Sequence, residues 1–477
     1  MHSGFGIESV IGARRVPAPA ASATPAKLAP MPRSVPVLVA TLGILLAACG
    51  SDTTTAPDLS SLDWDGCGDL ECATLEVPLD HDAPDGETIT IDISRSRAAY
   101  GDRRLGVLLV NPGGPGGSGT VMADFFSERH PELADVFDIV GWDPRGVAGS
   151  SELRCDDPLQ SFYRLDNDPD DADELEELQA AAVEAAASCA EAERLLPHVG
   201  SDDVVEDMNL IREALGEERI SFYGASYGSV LGLGYITRYG DDLRAVVIDG
   251  VTDPSHDMQD WLTSQAVAVE AALTEILGDL SLLEDALAAV DARAGGSPSA
   301  VARAAISATY DPGAADQLAD ALSDARFGDE TAVRELSDRY LGSAGFDVYT
   351  AVKCIDLEQP TGIDGFTAMA DAVAERAPVI GAAIANELLP CGAWPVGPEI
   401  PFPTLDDSNA PPILILGNTG DAATPYVDAV AVHDRLTNAT LLTHQGTGHL
   451  SFGRDQCVND FVIAYLVDLT VPSDPIC

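Results

Sequence analysis

The sequence predicts an α/β fold, a mostly parallel sheet with helices on both faces and a helical cap inserted before the last strands. Three observations carry this. Short runs that are apolar at nearly every position, at residues 105–110, 136–142, 220–223 and 245–248, alternate with helical segments, as in strands buried on both faces. Strand signals then nearly vanish between residues 254 and 398, where Leu273, Ile276, Leu277 and Leu280 fall at helical spacing. They return at 413–416 and 441–443, and these late strands need partners that only the first half of the chain supplies. The expected division is a first core segment from 62 to 253, a helical cap from 254 to 398 and a second core segment from 399 to 477.

Taken in order, the chain opens after Trp64 with Cys67, Cys72 and alternating apolar positions at 88–93, the pattern of an antiparallel hairpin. The strand at 105–110 delivers Asn111-Pro112-Gly113-Gly114-Pro115-Gly116-Gly117-Ser118-Gly119, too rich in glycine for helix or strand. The next strand ends in Asp143-Pro144-Arg145-Gly146. Acidic, alanine-rich residues 166–193 read as a loop followed by a solvated helix. Asp202-Asp203 can cap a helix carrying Val205, Met208, Leu210 and Ile211, which stops at Leu215-Gly216. The aromatic run from Ile220 to Tyr223 then meets Gly224-Ala225-Ser226-Tyr227-Gly228, a GxSxG turn that opens a helix. Glycines suit a turn that brings strand and helix backbones this close. Inside the cap, further helical stretches fall near 318–322, 333–341 and 366–377, and proline-rich 398–412 leads back to the sheet.

A serine hydroxyl is a weak nucleophile at neutral pH, so Ser226 needs a base, and the base needs an orienting carboxylate. Asp421 follows the strand at 413–416 and His449 follows the one at 441–443, each in a glycine-containing loop at the sheet edge where α/β folds place their sites. The chain order serine, acid, histidine distinguishes one class of serine hydrolase from the others. Other late carboxylates are Asp249, Asp253, Asp406, Asp407 and Asp428; other late histidines, His433 and His444, read as structural. An oxyanion requires backbone N–H donors, which Tyr227 and the glycine loop, at Gly114 or Gly113, would supply. A phosphate-cradling loop is the rival reading of that loop, but it lacks the Gly-Lys-Ser/Thr of a P-loop, and its prolines remove N–H groups.

Several motifs together resemble one family. Residues 72–80, 111–119, 143–151 and 224–232, Asp249-Gly250-Val251, Cys354-Ile355-Asp356, residues 418–425 and Gly448-His449 occur in one order over nearly all of 67–477. The chain is similar to the exported tripeptidyl aminopeptidases of actinobacterial type, relatives of proline iminopeptidase within the α/β-hydrolases. The resemblance implies Ser226, Asp421 and His449 as nucleophile, acid and base, and removal of one to three residues from a free N-terminus. An aminopeptidase must also hold an ammonium, for which cap carboxylates are the physical means; Asp356 and Glu358 are the candidates. An esterase or amidase using the same triad is the alternative, and an inactive hydrolase scaffold serving as a surface binding protein is the alternative of another class. No cofactor is implied.

Composition bounds the rest. With 477 residues, 46% of them hydrophobic, the chain can bury a large core, and a formal net charge of −52 excludes nucleic acid as a partner. Arg33 precedes an apolar run at 35–48, shorter than a spanning helix needs, that ends in Leu46-Ala47-Ala48-Cys49. This resembles a bacterial lipoprotein signal, which implies cleavage before Cys49, a diacylglycerol on its thiol and a tether over 49–61 on the outer face of the cell membrane. Plain secretion is the alternative, and residues 1–30 read as a start-site extension before Met31. The remaining Cys67, Cys72, Cys155, Cys189, Cys354, Cys391, Cys457 and Cys477 are even in number, which in an exported chain suggests disulfides, with sequential neighbours as the expected pairs. No CxxC pair or histidine cluster supports a metal site.

Overall fold

The computed structural model describes residues 62–477 apart from 193, 344, 403 and 474; the signal, Cys49 and the tether lie outside the described residues. Nine strands form one sheet: β1 (Asp65–Cys67), β2 (Leu70–Pro78), β3 (Thr88–Ser96), β4 (Gly106–Asn111), β5 (Phe137–Trp142), β6 (Ile220–Ala225), β7 (Leu243–Asp249), β8 (Ile413–Gly420) and β9 (Ala439–Thr447). The order is β1-β2-β3-β5-β4-β6-β7-β8-β9, antiparallel from β1 to β5 and parallel from β5 to β9. Every residue of β4, β5 and β6 is buried, which is why these segments read as continuous apolar runs.

Alternate residues feed two separate cores. Leu108, Val110, Tyr223, Val247 and Leu416 face the helices Met122–Arg129 and Gln456–Asp468. Leu109, Phe222, Ile248 and Ile415 face the other way, toward the helices Ser201–Ala214 and Gly228–Tyr239, and that core runs on into the helical layer without a break. Between β7 and β8 the described residues form helices, from Met258–Leu277 to Gly381–Asn386. β8 pairs with β7 on one side and β9 on the other, so the late strands complete a sheet begun in the first half. The connection from β4 goes to one side of it and the chain returns on the other, leaving the carboxyl ends of β4 and β6 side by side, with Asn111 opposite Gly224. Ligands bind α/β sheets at such a reversal.

Two features differ from expectation. The segment read as a solvated helix, Ala172–Cys189, buries Leu178, Ala182, Ala185, Ala186 and Cys189 and belongs to the helical layer. Asn167 Nδ2 donates to the Ala383 carbonyl at 2.9 Å, and Asn386 Nδ2 to that of Asn167 at 3.0 Å. A stripe built of alanine packs closely yet contributes little to an apolar pattern, which is why the burial was hidden. β8 and β9 also run past their apolar cores, to Gly420 and Thr447, because backbone pairing continues where the side chains turn polar. Four disulfides join sequential neighbours: Cys67–Cys72, Cys155–Cys189, Cys354–Cys391 and Cys457–Cys477. Among the described residues no helix is long and apolar enough to cross a membrane.

The motif after β5 has a structural duty. Arg145 is fully buried; Nε and Nη2 donate to Asp207 at 2.7 Å, and other N–H groups reach the carbonyls of Leu79, Pro78 and His198 at 2.9–3.1 Å. It joins the end of β2 to the helix Ser201–Ala214. Burial would raise the Asp207 carboxyl, but Arg145 and His81 hold it below its usual value. Arg145→Met strands that carboxylate without its cation and is expected to cost about 3–5 kcal/mol of unfolding free energy, measured by urea titration.

Candidate active site

β6 ends at Ala225 and the helix Gly228–Tyr239 begins three residues later. Ser226 lies between them with φ of +55°, in the left-handed region that a side chain disfavours by about 1–2 kcal/mol. Its N–H donates to the Asp249 carbonyl at the end of β7, and its own carbonyl accepts from Ser229, both at 2.8 Å. The turn tolerates no side chain at Gly224, where a Cβ would come within 2.2 Å of the Gly228 carbonyl oxygen.

The glycine loop leaves β4 directly beside this turn. Asn111 Oδ1 accepts from the Gly113 N–H at 2.8 Å. A Cβ on Gly113, where φ is +84°, would stand 2.8 Å from the Tyr227 nitrogen and 2.3 Å from the Ala225 carbonyl oxygen. The loop backbone therefore lies against the amide of the residue after Ser226. Tyr227 is the N-cap of the following helix, where N–H groups have no intrahelical acceptor and the positive end of the helix dipole faces out. Gly114 follows with φ of +119°.

Asp421 is buried in the loop after β8, and both its oxygens lie within 3.0 Å of His449 Nδ1. It also accepts the N–H groups of Ala423, Thr424 and Leu450 and the Thr424 hydroxyl, at 2.9–3.1 Å. Burial alone would raise its carboxyl; His449 and the amides outweigh that and hold it below the usual range. An ionised carboxylate only accepts, so Nδ1 carries the proton and Nε2 is left as the acceptor. His449 Cε1 would lie 3.1 Å from a Cβ on Gly250, next to the Asp249 carbonyl that holds Ser226. The imidazole and the serine thus stand over the same end of β7. The His449 N–H donates to the Tyr310 carbonyl at 3.3 Å, and the Tyr310 ring meets the imidazole edge-on at 5.5 Å.

The other carboxylates have other partners. Asp249 is fully buried and accepts from Tyr223, Ser451 and Phe452, pinning the loop that carries His449. Asp253 pairs with Arg435, Asp406 caps Ser408, Asp407 accepts from Thr437 and Asn438, and Asp428 from Ser264. His433 pairs with Asp434 on the surface, and His444 lies on β9. Asp356 and Glu358, the candidates for a substrate ammonium, lie at and just beyond the end of the helix Phe346–Asp356. Asp356 is buried and accepts from the Ser201 N–H and hydroxyl, while Glu358 is exposed and its carbonyl accepts from the Met258 N–H.

Two neighbours of the site have only faint sequence signals. Thr424, three residues after Asp421, could have been found as the partner of a capping aspartate. Glu387 stands alone in an apolar helical stretch. It is 5% exposed, Oε2 accepts from the Tyr340 hydroxyl at 3.1 Å, and Oε1 has no hydrogen-bond partner among the described residues. Tyr340 packs on Tyr310 at 6.3 Å and on Phe346 at 5.8 Å, and Phe346 packs on Tyr349 and Tyr163. Gly345, just before Phe346, sits against Gly116 of the glycine loop. This aromatic wall with one carboxylate links the histidine side of the site to the glycine-loop side. Possible metal ligands group together in the described residues only at Asp455, Cys457 and Cys477, and both sulfurs there are in a disulfide.

A left-handed serine at a strand-to-helix turn, on a parallel sheet of this topology, defines the class: the protein is a serine hydrolase with the α/β-hydrolase fold. The family model for TAP-like proteins matches residues 377–477, which span β8, β9 and the loops that carry Asp421 and His449. Tripeptidyl aminopeptidase of Streptomyces lividans is 30% identical over 455 residues, 86% of this chain and 84% of that protein. Serine protease Hip1 of Mycobacterium tuberculosis is 29% identical over 456 residues, 85% and 86% of the two chains, and carboxylesterase B of the same species is 30% identical over 450 residues, 84% and 85%. The chain belongs to the tripeptidyl aminopeptidase family of α/β-hydrolases, and it is a peptidase-type hydrolase.

Burial raises the Glu387 carboxyl from 4.5 to about 7, opposed by Arg303 and Tyr340. Between those values the native protein keeps a proton that the unfolded chain has released, so this group's contribution to stability falls as pH rises through that window. Glu387→Gln cannot ionise; by calorimetry it is expected to gain melting temperature relative to wild type at pH 8 and to change little at pH 5.

Proposed function

We propose that the protein is an aminopeptidase that releases di- or tripeptides, or a proline-type residue, from free N-termini through an acyl-enzyme. His449 Nε2 takes the Ser226 proton as Oγ bonds to the scissile carbonyl carbon, and the tetrahedral oxyanion is held by the N–H groups of Tyr227 and Gly114, since the Gly113 N–H is engaged by Asn111 Oδ1. The imidazolium, balanced by Asp421, then protonates the leaving nitrogen as the C–N bond breaks. Water repeats the sequence on the ester, returning the proton to Ser226 and freeing the short peptide. The short contact between His449 Nδ1 and an ionised Asp421 supports these roles.

The observation that carries the aminopeptidase reading over plain hydrolysis is Glu387. A buried carboxylate with one oxygen unpartnered among the described residues, in a wall of tyrosines that adjoins His449, suits a cation beyond the nearby Arg303, and the ammonium of a peptide N-terminus is the cation such a substrate brings. Glu387 takes the duty expected of Asp356 and Glu358. Ester hydrolysis by the same triad is the second reading, favoured by the likeness to a protein named carboxylesterase B. The Cys49 anchor is likewise proposed, on the lipoprotein-like signal; Cys49→Ala would release the protein from membranes into the medium.

Fluorophosphonate labelling is expected of wild type and lost in Ser226→Ala. A free tripeptide anilide is expected to turn over at least tenfold faster than its N-acetylated form, measured as kcat/KM; equal rates would leave the esterase reading. In Glu387→Gln, KM for the free anilide is expected to rise about tenfold or more, with the acetylated one unchanged, as for loss of a buried charge pair worth about 1.5–3 kcal/mol. Affinity for the free anilide is expected to improve as pH rises through about 7, where Glu387 ionises while the peptide ammonium is still charged.

A further inference from the structure

Tyr227 supplies more than a backbone amide. Its side chain runs inward, and the phenol oxygen lies 2.5 Å from Ser201 Oγ. Ser201 Oγ donates in turn to Asp356 Oδ2 at 2.5 Å, and the Ser201 N–H donates to Asp356 Oδ1 at 3.0 Å. Burial raises the Asp356 carboxyl to about 7, opposed by Ser201 and Lys353; in its ionised form it only accepts, so Ser201 donates to Asp356 and Tyr227 donates to Ser201. All three residues are buried. Burial and the nearby Asp356 push the Tyr227 phenol far above its ordinary range, so it stays a neutral donor.

The three come from three parts of the fold. Tyr227 caps the helix after Ser226, Ser201 opens the helix Ser201–Ala214, and Asp356 ends the helix Phe346–Asp356 of the helical layer, which the Cys354–Cys391 disulfide ties down. Lys353, one turn before Asp356, lies 3.8 Å over the Trp261 ring and adds a cation beside the carboxylate. A phenylalanine at 227 would fill the same volume without this chain. Ending a hydrogen-bonded line on a buried carboxylate is costly to desolvate and rigid in direction, which suits aiming a group and not merely filling space.

We propose that Asp356, through Ser201 and the Tyr227 phenol, is a positioning residue for the oxyanion donor: it holds the Tyr227 N–H against the glycine loop at Gly113. This rests on Ser226 being the nucleophile and Tyr227 N–H an oxyanion donor. A donor stabilises the tetrahedral state only when within about 2.7–3.1 Å of where the oxyanion forms, so a small rotation of Tyr227 removes its effect. The cap then governs the chemistry of every substrate, with or without a free amine.

The test uses the folded full chain and an activated acyl ester that has no amine, such as 4-nitrophenyl acetate. Asp356→Asn, Ser201→Ala and Tyr227→Phe are each expected to lower kcat at least tenfold with KM within twofold. Affinity for a trifluoromethyl ketone, which forms the oxyanion, should weaken by the same factor. The Ser201→Ala/Tyr227→Phe double variant should be no slower than the slower single one, because both cut one chain. Tyr227→Phe keeps the ring and carries the test if Asp356→Asn does not fold. Variants that lose melting temperature while ester kcat and ketone affinity hold would overturn the proposal, leaving only a cap-to-core fastening. A tenfold rise in KM for the free tripeptide anilide with ester kcat unchanged would also overturn it and make Asp356 an ammonium receptor. Wild type that neither labels with a fluorophosphonate nor turns over the ester sinks the nucleophile assignment as well, whereas active wild type with fully active variants sinks this inference alone.

Discussion

The site depends on one steric constraint, the contact between the loop after β4 and the turn after β6. Gly113 and Gly224 are held so close to neighbouring backbone that a methyl group at either would collide with a carbonyl oxygen. That contact places the glycine loop beside the Tyr227 amide, in the same turn where Ser226 takes a conformation that its side chain disfavours. The strain is sustained because both neighbouring strands are buried along their whole length and cannot shift. The Ser226 N–H bond to the Asp249 carbonyl then ties the turn to β7, and the Asp249 side chain ties β7 to the loop that carries His449. One residue at a strand end thus joins the two halves of the site.

A second pattern follows from composition. With 78 acidic and 26 basic residues, cations are scarce in this chain, and several of its buried carboxylates are satisfied without one. Asp421, Asp249, Asp407 and Asp356 are held by backbone N–H and hydroxyl groups of adjacent loops, and Asp207 with Arg145 is the buried ion pair of the core. Carboxylates satisfied by amides are fixed in direction by the backbone, so each serves as a pin between chain segments distant in sequence. Glu387 and Asp428 depart from this pattern, each with one oxygen that has no hydrogen-bond partner among the described residues, and of the two it is Glu387 that bonds to the tyrosine wall beside His449.

The helical layer is more than a lid. It supplies the Tyr310 carbonyl to the His449 N–H, the Asp356 carboxylate to Ser201 and the wall around Glu387, and its core is continuous with one face of the sheet. A single packed unit carries both the residues proposed for chemistry and those proposed for choosing the substrate. Its sequence nonetheless spreads over two stretches, since the alanine-faced helix Ala172–Cys189 belongs to it as well.

Local pattern alone determined the strands, the sharp turn at Ser226 and the positions of Asp421 and His449 in loops after strands, because runs buried on both faces and glycine-rich turns are written in consecutive residues. It placed Asp356 among residues of interest without showing that Ser201 is its partner, and it passed over Glu387, Thr424 and Tyr310. Whether a carboxylate faces solvent, a serine or a tyrosine depends on segments distant in the chain, as Asp356 and Ser201 are. Only the packed tertiary structure settles such a pairing, because hydrogen bonds between distant loops leave no periodic trace in either segment.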